Sequence, residues 1–142
     1  MSKHFHTDER ETPDELFKPL HKEFNFDIDV CAMSSNTKLP RYWNIGHNAL
    51  KQIWAPMRCF MNPPYSDIPT WLEKAKREAE QGALVVCILP VDTSTKWFHK
   101  YIWNGSWRTG ITVRFPNKRY KFDNYANSAK FATMIVIFGK PI

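Results

Sequence analysis

Residues 57–90 read MRCFMNPPYSDIPTWLEKAKREAEQGALVVCILP, and this stretch decides the fold. The apolar run 57–61 predicts a strand that ends at a turn formed by residues 62–65. Apolar residues at helical spacing then predict an amphipathic helix over 68–81. The continuous apolar run 83–89 is typical of a central strand that is covered on both faces. A strand, a helix and a second strand in this order predict an α/β domain.

The sequence on the amino-terminal side continues the alternation. Thr12-Pro13 followed by two acids predicts a helix start, with the Thr12 hydroxyl as N-cap and Pro13 as the first helical residue. The apolar face of this helix consists of Leu16, Phe17, Leu20 and Phe24. A strand is predicted over 26–31, where Asp27 and Asp29 alternate with apolar residues. Residues 33–50 are polar and irregular.

On the carboxyl-terminal side, residues 93–103 are predicted to form a helix and 111–115 a strand. The last strand, 131–138, pairs antiparallel with 119–123. Gly82 is predicted to be the C-cap of the helix over 68–81. The whole pattern predicts an open, doubly wound α/β sheet.

Length and composition favour one folded domain. The chain has 142 residues, of which 43% are hydrophobic and 15% aromatic, enough for a real core. We expect a flexible tail over 1–11 and a single domain over 12–142. The amino terminus is polar, and no apolar run is long enough to span a bilayer, so we expect a cytosolic protein.

The positive charge is concentrated in the last third of the chain. Residues 91–142 carry nine Lys and Arg against two Asp and Glu, whereas residues 1–90 carry 11 against 12. This asymmetry favours a polyanionic partner. The same region is rich in aromatic residues, which either stack on bases or belong to the core.

Cysteines and histidines point to no metal site. Cys31, Cys59 and Cys87 are odd in number and lie in apolar segments, so we expect buried free thiols. The five histidines form no cluster with the spacing of metal ligands.

The turn Asn62-Pro63-Pro64-Tyr65 carries the sharpest chemical signal. An exocyclic amine such as adenine N6 is a poor nucleophile because its lone pair is delocalised into the ring. An asparagine oxygen and a rigid prolyl carbonyl can each accept one amine N–H and so favour the tetrahedral nitrogen of a transition state. The tyrosine offers a flat face for stacking. The alternative is a plain turn, because Asn and Pro also punctuate strands.

Polar motifs follow three predicted strands. They are 29–32, 62–65 and 89–92. Because ligands of open α/β sheets bind at the carboxyl ends of the strands, we expect all three motifs to face one crevice.

These motifs, in this order, resemble the phage-type N6-adenine DNA methyltransferases, also called Dam-like phage enzymes. The resemblance runs from about Thr12 to Phe138 and includes, besides the motifs above, Trp54, Trp71, Lys74-Ala75, Trp97-Phe98, Arg119 and Phe131. It implies a Rossmann-like S-adenosylmethionine-dependent methyltransferase fold, with a mostly parallel sheet and an antiparallel C-terminal strand. It also implies direct methyl transfer to adenine N6 in duplex DNA, on a base flipped out of the helix.

The resemblance assigns cofactor residues. Thr12 and Pro13 would approach the methionine end of S-adenosylmethionine, although a plain helix cap explains them equally. Asp29, followed by Cys31 and Ala32, would receive the ammonium group of the cofactor. The chain departs from the wider methyltransferase pattern here, because residues 31–36 contain no glycine and no acid is evident for the ribose. Asn48 stands where an acid often binds the adenine amine.

The resemblance assigns substrate residues as well. The catalytic residues would be Asn62, Pro63, Pro64 and Tyr65. The DNA phosphates would be held by Lys118, Arg119 and Lys121. Phe122 would stack on the flipped base or, equally, fill a hairpin core. The chain is short for an enzyme with its own target-recognition domain, so loops 33–48 and 91–130, a homodimer or a partner subunit would supply specificity. A methyltransferase acting on RNA or on protein glutamine, and an inactive nucleic-acid-binding module, remain alternatives. The target sequence GATC is implied by the family name alone.

Overall fold

The computed structural model of the chain describes residues 11–32, 37–44, 47–122 and 130–140. Residues 1–10 of the predicted tail, and parts of both predicted specificity loops, lie outside the described residues. Among the residues that the structure describes, no helix is long and apolar enough to cross a membrane.

Two α-helices are present in the described residues, α1 (Asp14–Phe24) and α2 (Ile68–Glu80). Short 3₁₀ turns cover Ala49–Lys51 and Tyr65–Asp67, and a π-helical turn covers Phe98–Ile102. The predicted apolar face of α1 is confirmed, since all four of its residues are buried.

The predicted cap of α1 is wrong. Pro13 is the N-cap, the helix begins at Asp14, and no side chain caps it. The amide groups of Leu16 and Phe17 donate to the Pro13 carbonyl at 3.0 Å. The Thr12 hydroxyl is engaged elsewhere, as described below. At the end of α2, Gln81 is the C-cap, and Gly82 follows it with a φ of 114°.

The predicted helix over 93–103 is shortened. The carboxylate of Asp92 accepts hydrogen bonds from the amide and hydroxyl of Ser94 at 3.2 and 2.8 Å, and the Thr95 hydroxyl donates to the Asp92 carbonyl at 2.9 Å. Such local bonds stabilise a turn in place of a first helical turn.

The strands are β1 (Ile28–Asp29), β2 (Arg58–Met61), β3 (Leu84–Pro90), β4 (Ile111–Arg114), β5 (Arg119–Tyr120) and β6 (Phe131–Phe138). They form one sheet in the order β1-β2-β3-β6-β4, and β5 pairs with the start of β6. β1, β2 and β3 are parallel, whereas β6 is antiparallel to β3, β4 and β5. Hence β1–β5 run one way and β6 runs the other, which confirms the predicted antiparallel last strand and its pairing with β5.

The sheet is covered on both faces. α2 packs on one face, against Cys59, Val85, Cys87 and Val136, and we call this the α2 face. α1 packs on the other, the α1 face, against Phe60, Val86, Ile88 and Ile135. All residues of β3 from Leu84 to Leu89 are buried, which confirms the predicted central strand.

The first strand is shorter than predicted. Only Ile28 and Asp29 form β1, although the amides of Asp27 and Val30 also donate to β2 carbonyls, at 2.8 and 3.1 Å. Beyond β1, Trp43 donates its amide to the Asp29 carbonyl at 2.9 Å. The segment around Tyr42 therefore runs parallel beside Asp29 and covers this edge of the sheet.

Candidate active site

The carboxyl ends of β1, β2 and β3 and the start of β6 meet at one end of the sheet. We define the strand-end crevice by Asp29, Asn62, Tyr65, Pro90 and Phe131. Asp29 pairs with Phe60, two residues before Asn62. Pro90 pairs with Thr133, and the rings of Tyr65 and Phe131 lie 5.8 Å apart. The structure thus brings together the polar motifs that follow these strands.

A hydrogen bond between two distant parts of the chain holds Asn62. Its amide nitrogen Nδ2 donates to Oγ1 of Thr12 at 2.9 Å. Thr12 is only 3% exposed and directly precedes α1. Because one end of the amide is fixed in this way, its orientation is set by the fold rather than by solvent. The amide oxygen is the group of Asn62 that can accept an N–H of a substrate.

The prolines hold the turn rigid. Pro63 is buried, and Pro64 is the N-cap of the 3₁₀ turn Tyr65–Asp67. The Pro64 carbonyl accepts the Asp67 amide at 3.1 Å. Since proline fixes φ, the backbone between Asn62 and Tyr65 has little freedom to move.

Asp29 is a buried acid at the end of β1. It is 4% exposed, and its Oδ1 accepts the Cys31 amide at 3.2 Å. Burial raises the pKa of this carboxyl from 3.8 to about 6, although backbone hydrogen bonds from Cys31 and Lys38 act in the opposite direction. The Lys38 ammonium is engaged with Glu11 at 3.4 Å and Asp14 at 3.2 Å. Among the described residues, no ion pair neutralises Asp29.

The other residues implied for the cofactor lie around this acid, with one exception. Cys31 is half-buried, and Ala32 is buried with its amide donating to the Trp43 carbonyl at 3.0 Å. Pro13 is half-buried beside Thr12. Asn48 is exposed, has a φ of 51°, and makes no capping hydrogen bond with its side chain.

Three aromatic rings contact one another in sequence from the crevice to the core. Phe131 contacts Tyr65 edge-on at 5.8 Å and stacks on Phe122 at 4.9 Å with 22° between the ring planes. Phe122 is 1% exposed, so it lies in the core in this structure, as the alternative interpretation expects. Phe131 connects the turn at 62–65 to the β5 segment, a contact that its place in an apolar strand did not reveal.

The predicted phosphate contacts follow on β5. Lys118 pairs with Glu15 of α1, and its ammonium lies 5.5 Å from the ring centroid of Tyr120. Arg119 is exposed, whereas Lys121 is half-buried. A basic, solvent-facing segment therefore begins directly beside the aromatic rings of the crevice.

Thr133, which sequence reasoning did not single out, is a buried polar residue beside the crevice. It is 2% exposed, and its Oγ1 has no hydrogen-bond partner among the described residues. Alternation along β6 places it on the α1 face with Ile135 and Ile137. Asn62 follows Phe60 on that same face, two strands away. A threonine in a strand gives no sequence signal, because only the fold shows that its hydroxyl is buried and unpaired.

The three cysteines are free, and Cys59 and Cys87 are buried, as predicted. Burial raises the pKa of all three thiols, that of Cys59 to about 12. Such thiols are poor nucleophiles at neutral pH. The described residues contain no group of His, Cys, Asp or Glu that could hold a metal ion.

The model of the family described as DNA N-6-adenine-methyltransferase (Dam) matches residues 2–140. The chain belongs to this family. Its relatives include the DNA N-6-adenine-methyltransferase of Haemophilus phage HP1 (strain HP1c1), 37% identical over 116 residues, which are 80% of this chain and 65% of the relative. Another is the protein of that name from Escherichia phage T1, 30% identical over 89 residues, which are 61% of this chain and 37% of the relative.

The chain thus spans less than two thirds of the length of the curated relatives that it matches. No solved structure matches the chain significantly. Family membership agrees with the resemblance of the motifs, and the mixed six-stranded sheet fits a methyltransferase-like fold.

Proposed function

We propose that this chain transfers a methyl group from S-adenosylmethionine to the N6 amine of adenine in duplex DNA. The observation that carries the proposal is the Asn62 amide, held by Thr12 at the end of β2 in a chain of the Dam family. The order of strand directions, five one way and β6 the other, supports a Rossmann-like methyltransferase domain over 12–142.

The chemistry at the amine needs positioning and polarisation. The Asn62 oxygen and the Pro63 carbonyl each accept one N–H of the target amine, which localises its lone pair and favours a tetrahedral nitrogen. Thr12 acts as a positioning residue, because its hydroxyl holds the Asn62 amide from behind. No covalent intermediate on the protein is required.

The cofactor site is built around Asp29. S-adenosylmethionine, when bound, supplies an electrophilic methyl group on its sulfonium. A buried carboxyl with a raised pKa and no ion-pair partner among the described residues fits the cofactor's ammonium group, which would restore the charged form of the acid. Thr12, Pro13, Cys31 and Ala32 surround the methionine half. Asn48 serves the adenine half through its amide.

The base lies against the aromatic rings. Tyr65 stacks on the flipped adenine, and Phe131 supports Tyr65 from its edge. Phe122, which stacks on Phe131, supports this group of rings from the core. The Thr133 hydroxyl supplies a further hydrogen bond inside the crevice, which explains why an unpaired polar atom is retained there.

The basic β5 segment holds the DNA backbone. Lys118, Arg119 and Lys121 contact phosphates, which positions the duplex without reading its sequence. A homodimer or a partner subunit completes target recognition. Both relatives are phage proteins, so we propose that the enzyme acts in the cytoplasm of a host cell.

The deciding experiment is transfer of labelled methyl groups to unmethylated duplex DNA, single-stranded RNA and protein extract, followed by nucleoside analysis. We expect N6-methyladenine in the duplex alone. Transfer to RNA or to protein glutamine instead would show that DNA is not the substrate. Cofactor binding without transfer to any of the three would indicate that a partner subunit or a different substrate is needed, and loss of cofactor binding as well would favour the binding module.

A further inference from the structure

A basic cavity of about 760 Å³ lies at the opposite end of the sheet from the strand-end crevice. It is lined by Arg58, Leu84 and Ile111, the first residues of β2, β3 and β4, and by Phe138, the last residue of β6. The seven residues of β3 separate it from the crevice by roughly 20 Å. A small molecule bound in this cavity therefore does not reach Asn62.

The cavity gathers more cations than acids. Its lining contains Arg58, Lys76, Lys100, Arg108 and Lys140 against the single acid Glu80. Glu80 pairs with Lys76 at 3.2 Å, and the other four cations form no ion pair with any described residue. The Arg58 guanidinium is turned away from the cavity, since it donates to the Phe24 carbonyl of α1 at 2.9 Å. Lys100, Arg108 and Lys140 therefore leave the lining with an excess charge of +3. The carboxyl end of α2 contributes roughly −0.5 near Glu80, which is too little to balance it.

Arg108 gives independent evidence of a missing acceptor. One of its terminal nitrogens donates to the His99 carbonyl at 2.8 Å, which fixes the guanidinium in place. Its Nε is buried and has no partner in the described part of the chain. A fixed guanidinium with an unused donor is suited to an oxyanion, because its N–H groups match the geometry of carboxylate and phosphate oxygens.

The floor of the cavity is apolar. Ala79, Ala83 and the ring of Tyr101 line it together with Phe138. The Tyr101 hydroxyl donates a hydrogen bond to Glu73 at 2.9 Å. Burial, and to a lesser extent the neighbouring Glu73, raise the pKa of Tyr101 to about 12. Hence the tyrosine presents its ring rather than an ionisable group. A volume of this size is within the range of small-molecule sites, roughly 300 to 1,000 Å³.

We propose that this cavity binds the phosphate of a nucleotide, either a free mononucleotide or a residue of a DNA strand, at a site separate from the methyl-transfer crevice. Arg108 and Lys140 hold the phosphate oxygens, Lys100 adds charge, and the sugar and base lie on the apolar floor. The site does not depend on the proposed methyl transfer, since no residue is shared between the two.

The test is calorimetric binding of thymidine 5′-monophosphate and of a short oligothymidylate to the full chain at low salt. Thymine has no exocyclic amine, so neither probe offers a methyl acceptor, and saturating S-adenosylhomocysteine is present to keep the cofactor site filled. We expect one bound equivalent. Binding of the mononucleotide identifies a free nucleotide as the ligand class, whereas binding of the oligomer alone identifies a DNA strand.

Two double variants test the location. Arg108→Gln with Lys140→Gln removes two proposed phosphate contacts, and Lys100→Gln with Lys140→Gln leaves the hydrogen bond from Arg108 to His99 intact. Each is expected to weaken binding roughly tenfold or more, the effect of losing a hydrogen bond to a charged group. Lys22→Gln with Lys51→Gln is the control, because it removes the same charge from two exposed residues that do not line the cavity.

Absence of binding by both probes overturns the proposal. Equal weakening in the control overturns it as well, since the effect would then be general electrostatics. Unchanged nucleotide affinity in a folded Lys100→Gln, Lys140→Gln protein would also overturn the proposal. Methyl transfer by the wild-type protein is measured separately. Absence of nucleotide binding would therefore not contradict the proposed reaction, and absence of methyl transfer would not contradict the proposed binding site.

Discussion

Asp29→Asn is expected to make the cofactor-free protein more stable while weakening cofactor binding. The Asp29 carboxyl has a pKa of about 6 when folded, against an ordinary value of 3.8. A raised folded-state pKa means that the native state binds more protons than the unfolded state between these values. Stability therefore falls as pH rises through this window, and the loss is complete above the folded-state pKa.

The size of the effect follows from the two pKa values. A difference of about two pH units corresponds to about 3 kcal/mol above pH 7, and to only a small fraction of this near pH 4. Asparagine cannot ionise, so the variant avoids this loss. Its Oδ1 can still accept the Cys31 amide, which the aspartate accepts at 3.2 Å. Groups that titrate equally in both proteins cancel in the comparison.

Urea unfolding of both proteins at pH values from 4 to 8 is the assay, accompanied by calorimetric titration with S-adenosylmethionine. We expect the free energies of unfolding to agree near pH 4 and to diverge by up to about 3 kcal/mol in favour of the variant at pH 8. Cofactor affinity should fall roughly tenfold or more, because a hydrogen bond between charged groups is lost. Parallel dependence of the two free energies of unfolding on pH would refute the raised pKa of Asp29. Unchanged affinity for S-adenosylmethionine would refute the role of Asp29 in cofactor binding.

Three further substitutions test the crevice. Asn62→Ala should lower turnover roughly a hundredfold or more with little change in cofactor affinity, and near wild-type turnover would contradict the polarisation of the amine. Thr12→Val, which keeps the shape but removes the hydroxyl, should lower turnover in the same direction and by less, since Asn62 remains but is no longer held; a variant with full turnover would make Thr12 merely structural. Thr133→Val should raise the free energy of unfolding by about 1 kcal/mol, because it removes an unpaired buried hydroxyl, while turnover on DNA falls. Stability and turnover falling together would instead indicate that the hydroxyl has a structural partner.

Most of the architecture could be predicted because periodic patterns determine it locally. The apolar run before Asn62, the amphipathic α2 and the continuous run of β3 were correct to within one or two residues. Predictions failed where a side chain had a choice of partners. Thr12 was expected to cap α1, but its hydroxyl is bound to Asn62, 50 residues away. Asp92 and its neighbours form a turn where a helix was expected.

The sequence predicted individual motifs of the candidate site, but not which other residues lie beside them in the fold. The motif at 62–65 predicts chemistry on an amine because its asparagine and prolyl carbonyls can accept amine N–H groups, and a plain turn is the alternative interpretation of the same residues. Neither Phe131 nor Thr133 could be recognised from the sequence as part of the site. Thr133 comes to the crevice because it pairs with Pro90 of β3, and Phe131 because its ring contacts that of Tyr65.

The sequence by itself determined the class of fold, the order of the elements and the position of the turn at 62–65, since these follow from local periodicity and from the limited conformations of proline and asparagine. Tertiary structure alone decided which groups meet: the hydrogen bond from Asn62 to Thr12, the buried Asp29 without an ion pair among the described residues, the aromatic rings around Phe131, and the basic cavity at the far end of the sheet. The physical reason is that burial, pKa and hydrogen-bond partners depend on residues far apart in the chain, and no local pattern encodes those distances.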